Sequence, residues 1–260
     1  MPASSADQAA LRLTAVTVDY VVGSNTAGVR ALHEVDLTIA PGERVALLGE
    51  SGAGKSTLLD VVAGLTVPTS GSVEVLGAAI DELRGRALRR HRADIGVVRQ
   101  QHGLPESLRV VHNVNAGRLG TWSTWRALTS LVRPRGRAEV DSALAAVGLA
   151  GLADRLTGDL SGGQQQRVAV ARALIEQRRL LLADEPVSAV DPKLSDDVLR
   201  LLRAADGDPA VLVSLHDPGL ARRHVDRIVG LRDGIVHFDL PVDEVSDRRI
   251  DDLYRITPSG

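Results

Sequence analysis

One octapeptide limits this chain more than any other part of it. Gly49-Glu50-Ser51-Gly52-Ala53-Gly54-Lys55-Ser56 follows a short apolar run, Val45 to Leu48, and opens a stretch of helical periodicity from Lys55 to about Ala63. Glycines let a backbone wrap phosphate with its N–H groups, because a Cβ would block that approach. The pattern G-x-x-x-x-G-K-[ST] between strand and helix is that of a phosphate-binding loop, and it demands an α/β unit built around it. Lys55 is then expected to neutralise β- and γ-phosphate oxygens and Ser56 to ligate Mg²⁺. Thr57 follows in the first helical turn, where the dipole adds positive potential.

The rest of the chain reads as more of the same fold class. Leu11 to Val18 and Val35 to Ile39 alternate as short antiparallel strands, the second ending at the Pro41-Gly42 turn. Ile95 to Val98, Leu180 to Ala183 and Ala210 to Ser214 repeat the short apolar run, each followed by polar turn chemistry and helical spacing. That is the pattern of a mostly parallel sheet. Between Val110 and about Leu156 the strand signal vanishes, and Ala, Leu and Arg recur at helical spacing around a Pro134–Gly136 break, as in an inserted helical subdomain. Arg232-Asp233-Gly234 divides two alternating runs from Ile228 to Asp239 into a hairpin. The arginine cluster Arg84, Arg86, Arg89, Arg90 and Arg92 reads as a solvated helix face.

Composition excludes several functions. The formal charge is −2 and lysine occurs only at Lys55 and Lys193, which is not the balance of a dedicated nucleic-acid binder. There are no cysteines, so disulfides, thiolate metal sites and cysteine nucleophiles are out, in keeping with a reducing cytoplasm. No apolar run reaches the roughly 18 to 20 residues that span a bilayer, and MPASSADQAALRLT lacks the regions of a signal peptide. Any membrane role is expected to come through a partner.

Two further motifs carry chemistry. Leu180-Leu181-Leu182-Ala183-Asp184-Glu185 is an apolar strand ending in two carboxylates. Asp184 suits Mg²⁺, and Glu185, expected to point the other way by strand alternation, suits a general base acting on water. Leu160-Ser161-Gly162-Gly163-Gln164 opens a helix running through Arg172, presenting N–H donors, a hydroxyl and a dipole to a second phosphate.

That pentapeptide resembles the signature of ABC ATPases, and the resemblance extends from Leu11 to Tyr254. It implies one ATPase domain over 10–255, with a helical subdomain at about 105–175, an antiparallel β edge subdomain and a disordered tail at 1–9. It also implies that Gly49 to Thr57 hold ATP with Mg²⁺, and that Ser161, Gly162, Gly163 and Gln164 close on the ATP of a partner subunit. Gln100 is similar to the glutamine that senses Mg²⁺ and the attacking water while touching a membrane partner. Ser188-Ala189-Val190-Asp191 is similar to the D-loop, His216 to the histidine contacting γ-phosphate, and Tyr20 to the aromatic stacking on adenine. Arg99 stands where these proteins often carry an aromatic, and Val21 to Val29 is longer than usual.

A narrower resemblance, to ATP-binding subunits of phosphonate importers, rests on Gly117-Arg118-Leu119-Gly120, on Ser123-Thr124-Trp125-Arg126, on Leu160 to Arg167 and on Ile228 to Gly234. It implies a homodimer at the cytoplasmic face of the cell membrane, docked on an integral permease for phosphonate or a related phosphorus oxyanion and served indirectly by a substrate-binding protein. A soluble ABC ATPase acting on ribosomes or DNA, and an exporter motor, are the alternatives. The first usually carries two cassettes or a long coiled-coil insertion, and neither is present.

Overall fold

A computed structural model describes residues 9–20, 28–99, 103–122, 125, 136–187 and 192–255. They form two compact units: one holds the described residues up to Leu83 and those from Ala210 onward, the other runs from Arg84 to Pro209. Both are α/β with parallel strands, and the first also carries a separate antiparallel sheet, as the sequence leads one to expect.

The first unit begins with β1 (Leu11–Tyr20) and β2 (Val29–Ile39), an antiparallel pair in which Leu11 faces Ile39 and Tyr20 faces Val29. Both strands are longer than the alternation marks, because each contains an irregularity that interrupts it. Ala15 has φ 46° and Glu34 has φ 46°, and the register shifts between Leu13 and Val18. Each such bulge slips the side-chain phase by one residue, so Leu11 and Leu13, then Val16 and Val18, all stay buried. Ala15 N–H donates to Asp36 Oδ1 at 2.9 Å and Glu34 N–H to Thr17 Oγ1 at 3.1 Å, so the extra residues do not leave their donors unmet.

Next come β3 (Arg44–Leu48), α1 (Lys55–Val62), β4 (Ser70–Val75) and the two-residue β5 (Ala78–Ala79). The antiparallel sheet has the order β2-β1-β4-β5. β4 is invisible to a periodicity search, since only Val73 and Val75 of Ser-Gly-Ser-Val-Glu-Val are buried and apolar. Its glycine is required: Gly71 has φ 89°, and a Cβ there would lie 2.4 Å from Ala15 O in the neighbouring bulge.

The second unit runs through α2 (Gly85–Ala93), β6 (Ile95–Val98), α3 (Val110–Asn115), α4 (Arg137–Ala146), α5 (Gly162–Leu174), β7 (Leu180–Asp184) and α6 (Pro192–Arg203). β6 and β7 pair in parallel, Ile95 opposite Leu180. α3 and α4 pack on α5, which buries Val168, Ala169, Val170 and Ala171. Buried Asn113 donates to Thr157 Oγ1 at 2.8 Å and to Pro105 O at 3.1 Å, joining the segments on either side of α3. Arg178 is buried and donates to Ala93 O and Gly117 O, tying the end of α2 to the turn after α3. α2 buries no residue, and the clustered arginines are exposed as expected, Arg89 also donating to Leu119 O at 2.8 Å and Trp122 O at 2.7 Å.

The chain returns to the first unit with β8 (Ala210–Ser214), α7 (Pro218–His224), β9 (Arg227–Arg232), β10 (Ile235–Pro241) and α8 (Asp247–Leu253). β3 lies between β8 and β9, parallel to both, and Val45 to Leu48 have no exposed surface. Asp233 and Gly234 form the hairpin turn with φ 52° and 75°, the double positive φ of a two-residue type I′ connection. The chain's sole phenylalanine, Phe238, covers Gly230, where a Cβ would come within 2.4 Å of the ring.

Arg227 binds four segments of this unit together. Its guanidinium donates to Glu43 at 2.6 Å, to both oxygens of Asp239 at 2.7 Å and to Thr38 O, with only 18% of the side chain exposed. Removing the guanidinium takes several charge-assisted hydrogen bonds from partly buried Glu43 and Asp239, at a cost of about 2–3 kcal/mol. Arg227→Met should therefore lower the unfolding free energy by roughly that amount in urea titrations. Arg227→Lys, which keeps the charge but loses the fork, should fall between the two.

Candidate nucleotide-binding site

The loop between β3 and α1 is held by β9 of its own sheet and by β2 of the antiparallel sheet. Gly49 has φ 154°, and a Cβ there would sit 2.1 Å from Leu231 O on β9. Gly54 has φ 100°, and its Cβ would sit 2.5 Å from Ala31 O on β2. Gly234 N–H donates to Ala53 O at 3.1 Å, and His33 N–H to Gly234 O at 2.9 Å, so the hairpin turn bridges loop and β2. Gly52 is different: at φ 86° it has no protein atom within 4 Å of a built Cβ. The sequence reading gave all the glycines one reason, close approach to phosphate. Two of the three are instead demanded by backbone packing inside the unit, and only Gly52 is open.

Lys55 is 5% exposed, and its ammonium donates to Gly49 O and Glu50 O at 2.8 Å each. The side chain thus closes the loop into a ring while keeping its charge within it. Helix α1 starts at Gly54 with no side-chain cap and no acidic residue in its first turn. The first-turn N–H groups and the dipole are left for an anion. Ser56 is exposed and Thr57 half-buried, both in that turn.

His216 leaves β8 at the same end of the sheet. Leu47 pairs with Ser214, and Leu215 N–H donates to Leu47 O at 3.0 Å, which places His216 beside the exit of β3. Its side chain is exposed. Tyr20 closes β1 with 40% of its surface exposed, as a stacking aromatic requires. Gln100 and Asp191 lie outside the described residues.

In the second unit, β7 ends at Asp184, and Glu185 has φ 47°. Strand alternation therefore does not set its direction, contrary to the sequence argument; a turn does. A non-glycine residue in the left-handed region costs of order 1–3 kcal/mol, and such strain gathers where a side chain must be aimed. The Ser161 end of α5 forms a capping box: Ser161 Oγ accepts from Gln164 N–H at 3.3 Å, and Gln164 Oε1 from Ser161 N–H at 3.0 Å. Ser161 and Gln164 thus cap α5, a structural task that stands beside the phosphate-facing role the motif implies. Gly162 has ordinary helical backbone and no described atom within 4 Å of a built Cβ, so packing among the described residues does not require glycine there. In the first unit the Ser56 hydroxyl, and in the second the Asp184 carboxylate, are each a hard oxygen donor of the kind Mg²⁺ takes.

A glycine loop with a buried lysine at the carboxyl end of a central parallel strand, followed by an uncapped helix, defines a P-loop nucleotide-binding protein. Residues 32–188 match the ABC transporter family model, and the chain belongs to that family. It is 44% identical over 246 residues to Phosphonates import ATP-binding protein PhnC 1 of Pseudomonas syringae, covering 94% of this chain and 91% of the relative. It is 48% identical over 231 residues to a PhnC of Pseudomonas putida, covering 87% and 85%. Among solved structures, a dimeric bacterial ABC transporter cassette aligns with a TM-score of 0.78 at 34% identity, covering 89% of this chain and 98% of the other.

The contrast between the glycines can be checked by thermal unfolding. Gly49→Ala must displace a backbone carbonyl and should destabilise the protein by roughly 1–3 kcal/mol or more. Gly162→Ala meets open space in a helical turn and should leave the midpoint unchanged or slightly raised.

Proposed function

We propose that this chain is the ATP-hydrolysing motor of a phosphonate importer, working as a homodimer at the cytoplasmic face of a membrane beneath an integral permease. The observation that carries the shared site is the Ser161 end of α5: a rigid helix start, with an open glycine that nothing within 4 Å explains. One chain holds one ATP in its own loop, so the second phosphate-facing device serves the ATP of the other copy. The cargo reading is supported by relatives named for phosphonate import at 44–48% identity over about nine tenths of the chain. A substrate-binding protein feeds the permease and touches this chain only indirectly. No described helix is long and apolar enough to cross a membrane, which fits a peripheral subunit.

In this mechanism Tyr20 stacks on adenine, while the N–H groups from Gly49 through Thr57 and the Lys55 ammonium bind the phosphates. Ser56, Asp184 and Gln100 would hold Mg²⁺, whose charge would offset that of the phosphate oxygens. Glu185 takes the proton as a water oxygen bonds to the γ-phosphorus and the bond to the bridging oxygen breaks, releasing ADP and phosphate. His216 contacts the γ-phosphate, Ser161, Gly162, Gly163 and Gln164 close from the partner, and Asp191 lies in the D-loop between the two sites. Gln100 passes permease movement to the water.

Glu185→Gln keeps the shape and loses the base. ATP should still bind and hold the dimer, while turnover falls by roughly 10²- to 10⁴-fold; near-normal turnover removes the role. Mixing Lys55→Ala chains with Ser161→Arg chains leaves one composite site intact, so part of the lost ATPase should return. No rescue, with heterodimers shown to form, would remove the shared site. In vesicles carrying permease and binding protein, phosphonates should raise ATP turnover and amino acids should not. The reverse response would remove the cargo and leave the motor standing.

A further inference from the structure

The last described helix reaches back to the nucleotide loop. α8 is capped by Ser246, whose hydroxyl accepts from Arg249 N–H, and it buries Ile250 and Leu253. Two arginines fasten it. Arg232, at the end of β9, donates to Asp252 O at 2.9 Å; Arg222, on α7, donates to Val245 O at 2.9 Å and pairs with Asp247 at 2.7 Å. Tyr254 follows directly on α8, half-buried, with its N–H bonded to Ile250 O at 3.1 Å.

The Tyr254 hydroxyl sits between two segments of the site. It accepts a hydrogen bond from the Gly49 backbone and donates to His216 O at 3.5 Å. Gly49 is the first residue of the phosphate loop and cannot shift toward β9, where the Leu231 carbonyl blocks it. Burial first, then the nearby carboxylates Glu50 and Asp217, push the phenol above its ordinary range, so it remains a neutral O–H donor at physiological pH.

We propose that Tyr254 is a positioning residue that locks the His216 backbone to the first glycine of the phosphate loop, fixing where the imidazole meets the γ-phosphate. The proposal rests on the ATPase reading above. It gives the carboxyl-terminal helix a part in the chemistry: α8 acts as a strut whose last residue sets the spacing of two loops that different strands deliver.

The test is Tyr254→Phe in the full chain, which removes one oxygen and keeps the ring. Turnover of Mg-ATP should fall about three- to tenfold, the scale of a neutral hydrogen bond, with KM within about twofold and the melting temperature nearly unchanged. The distinguishing measurement is Tyr254→Phe in a His216→Ala background, under single-turnover conditions that make slow residual hydrolysis readable. If the hydroxyl acts through His216, the second substitution should cost less than about twofold there. Three results overturn the proposal: wild-type turnover in Tyr254→Phe, a loss confined to KM or matched by lost stability, or the same fold-loss in both backgrounds. Failure of the wild-type chain to hydrolyse ATP would count against the ATPase reading itself, and is seen before any variant is compared.

Discussion

The ammonium of a lysine that is only 5% exposed must be solvated by something, and the partners of Lys55 include the phosphate loop's own carbonyls. Leaving such a charge without partners in the interior would cost several kcal/mol, so the loop folds around the cation before any anion arrives. The loop can take that form only because β9 and β2 support it from outside, the first at Leu231 and the second at Ala31. Those strands are in turn fixed by the Asp233–Gly234 turn and by the Arg227 cluster. The antiparallel sheet of the first unit is thus more than an edge decoration. It forms one wall of the loop that the central strand presents.

The features legible in the sequence are those whose chemistry is local. The phosphate loop, the carboxylate pair after Leu182, the signature helix and the Asp233–Gly234 turn are each specified by residues within about a dozen positions of one another. The short apolar runs of β3, β6, β7 and β8 were legible for the same reason: a strand buried on both faces is apolar throughout. β4 was not, because its two inward valines form no pattern until β1 is beside them. The bulges at Ala15 and Glu34 break the alternation that would have extended β1 and β2, and their hydrogen-bond partners lie on the opposing strand.

At the site, sequence identified residue types and missed their mechanical tasks. Gly49 and Gly54 follow the motif, but the atoms that exclude a side chain there belong to Leu231 and Ala31, far along the chain in either direction. Strand alternation gave a direction for Glu185 that its positive φ cancels. Tyr254 has no motif around it, because its significance arises only once α8 is pinned by arginines from two other elements.

In the homodimer proposed above, whose copies engage and release at each turnover, the capping box at the start of α5 bears on the kinetics. Helix ends fray readily, and a frayed end would have to be re-ordered each time the two copies meet, at a cost of about 1–2 kcal/mol per residue in backbone entropy. The reciprocal Ser161–Gln164 bonds meet that cost once, when the chain folds. Association is then a docking of finished surfaces rather than a coupled folding event, and separation leaves each surface ready for the next encounter.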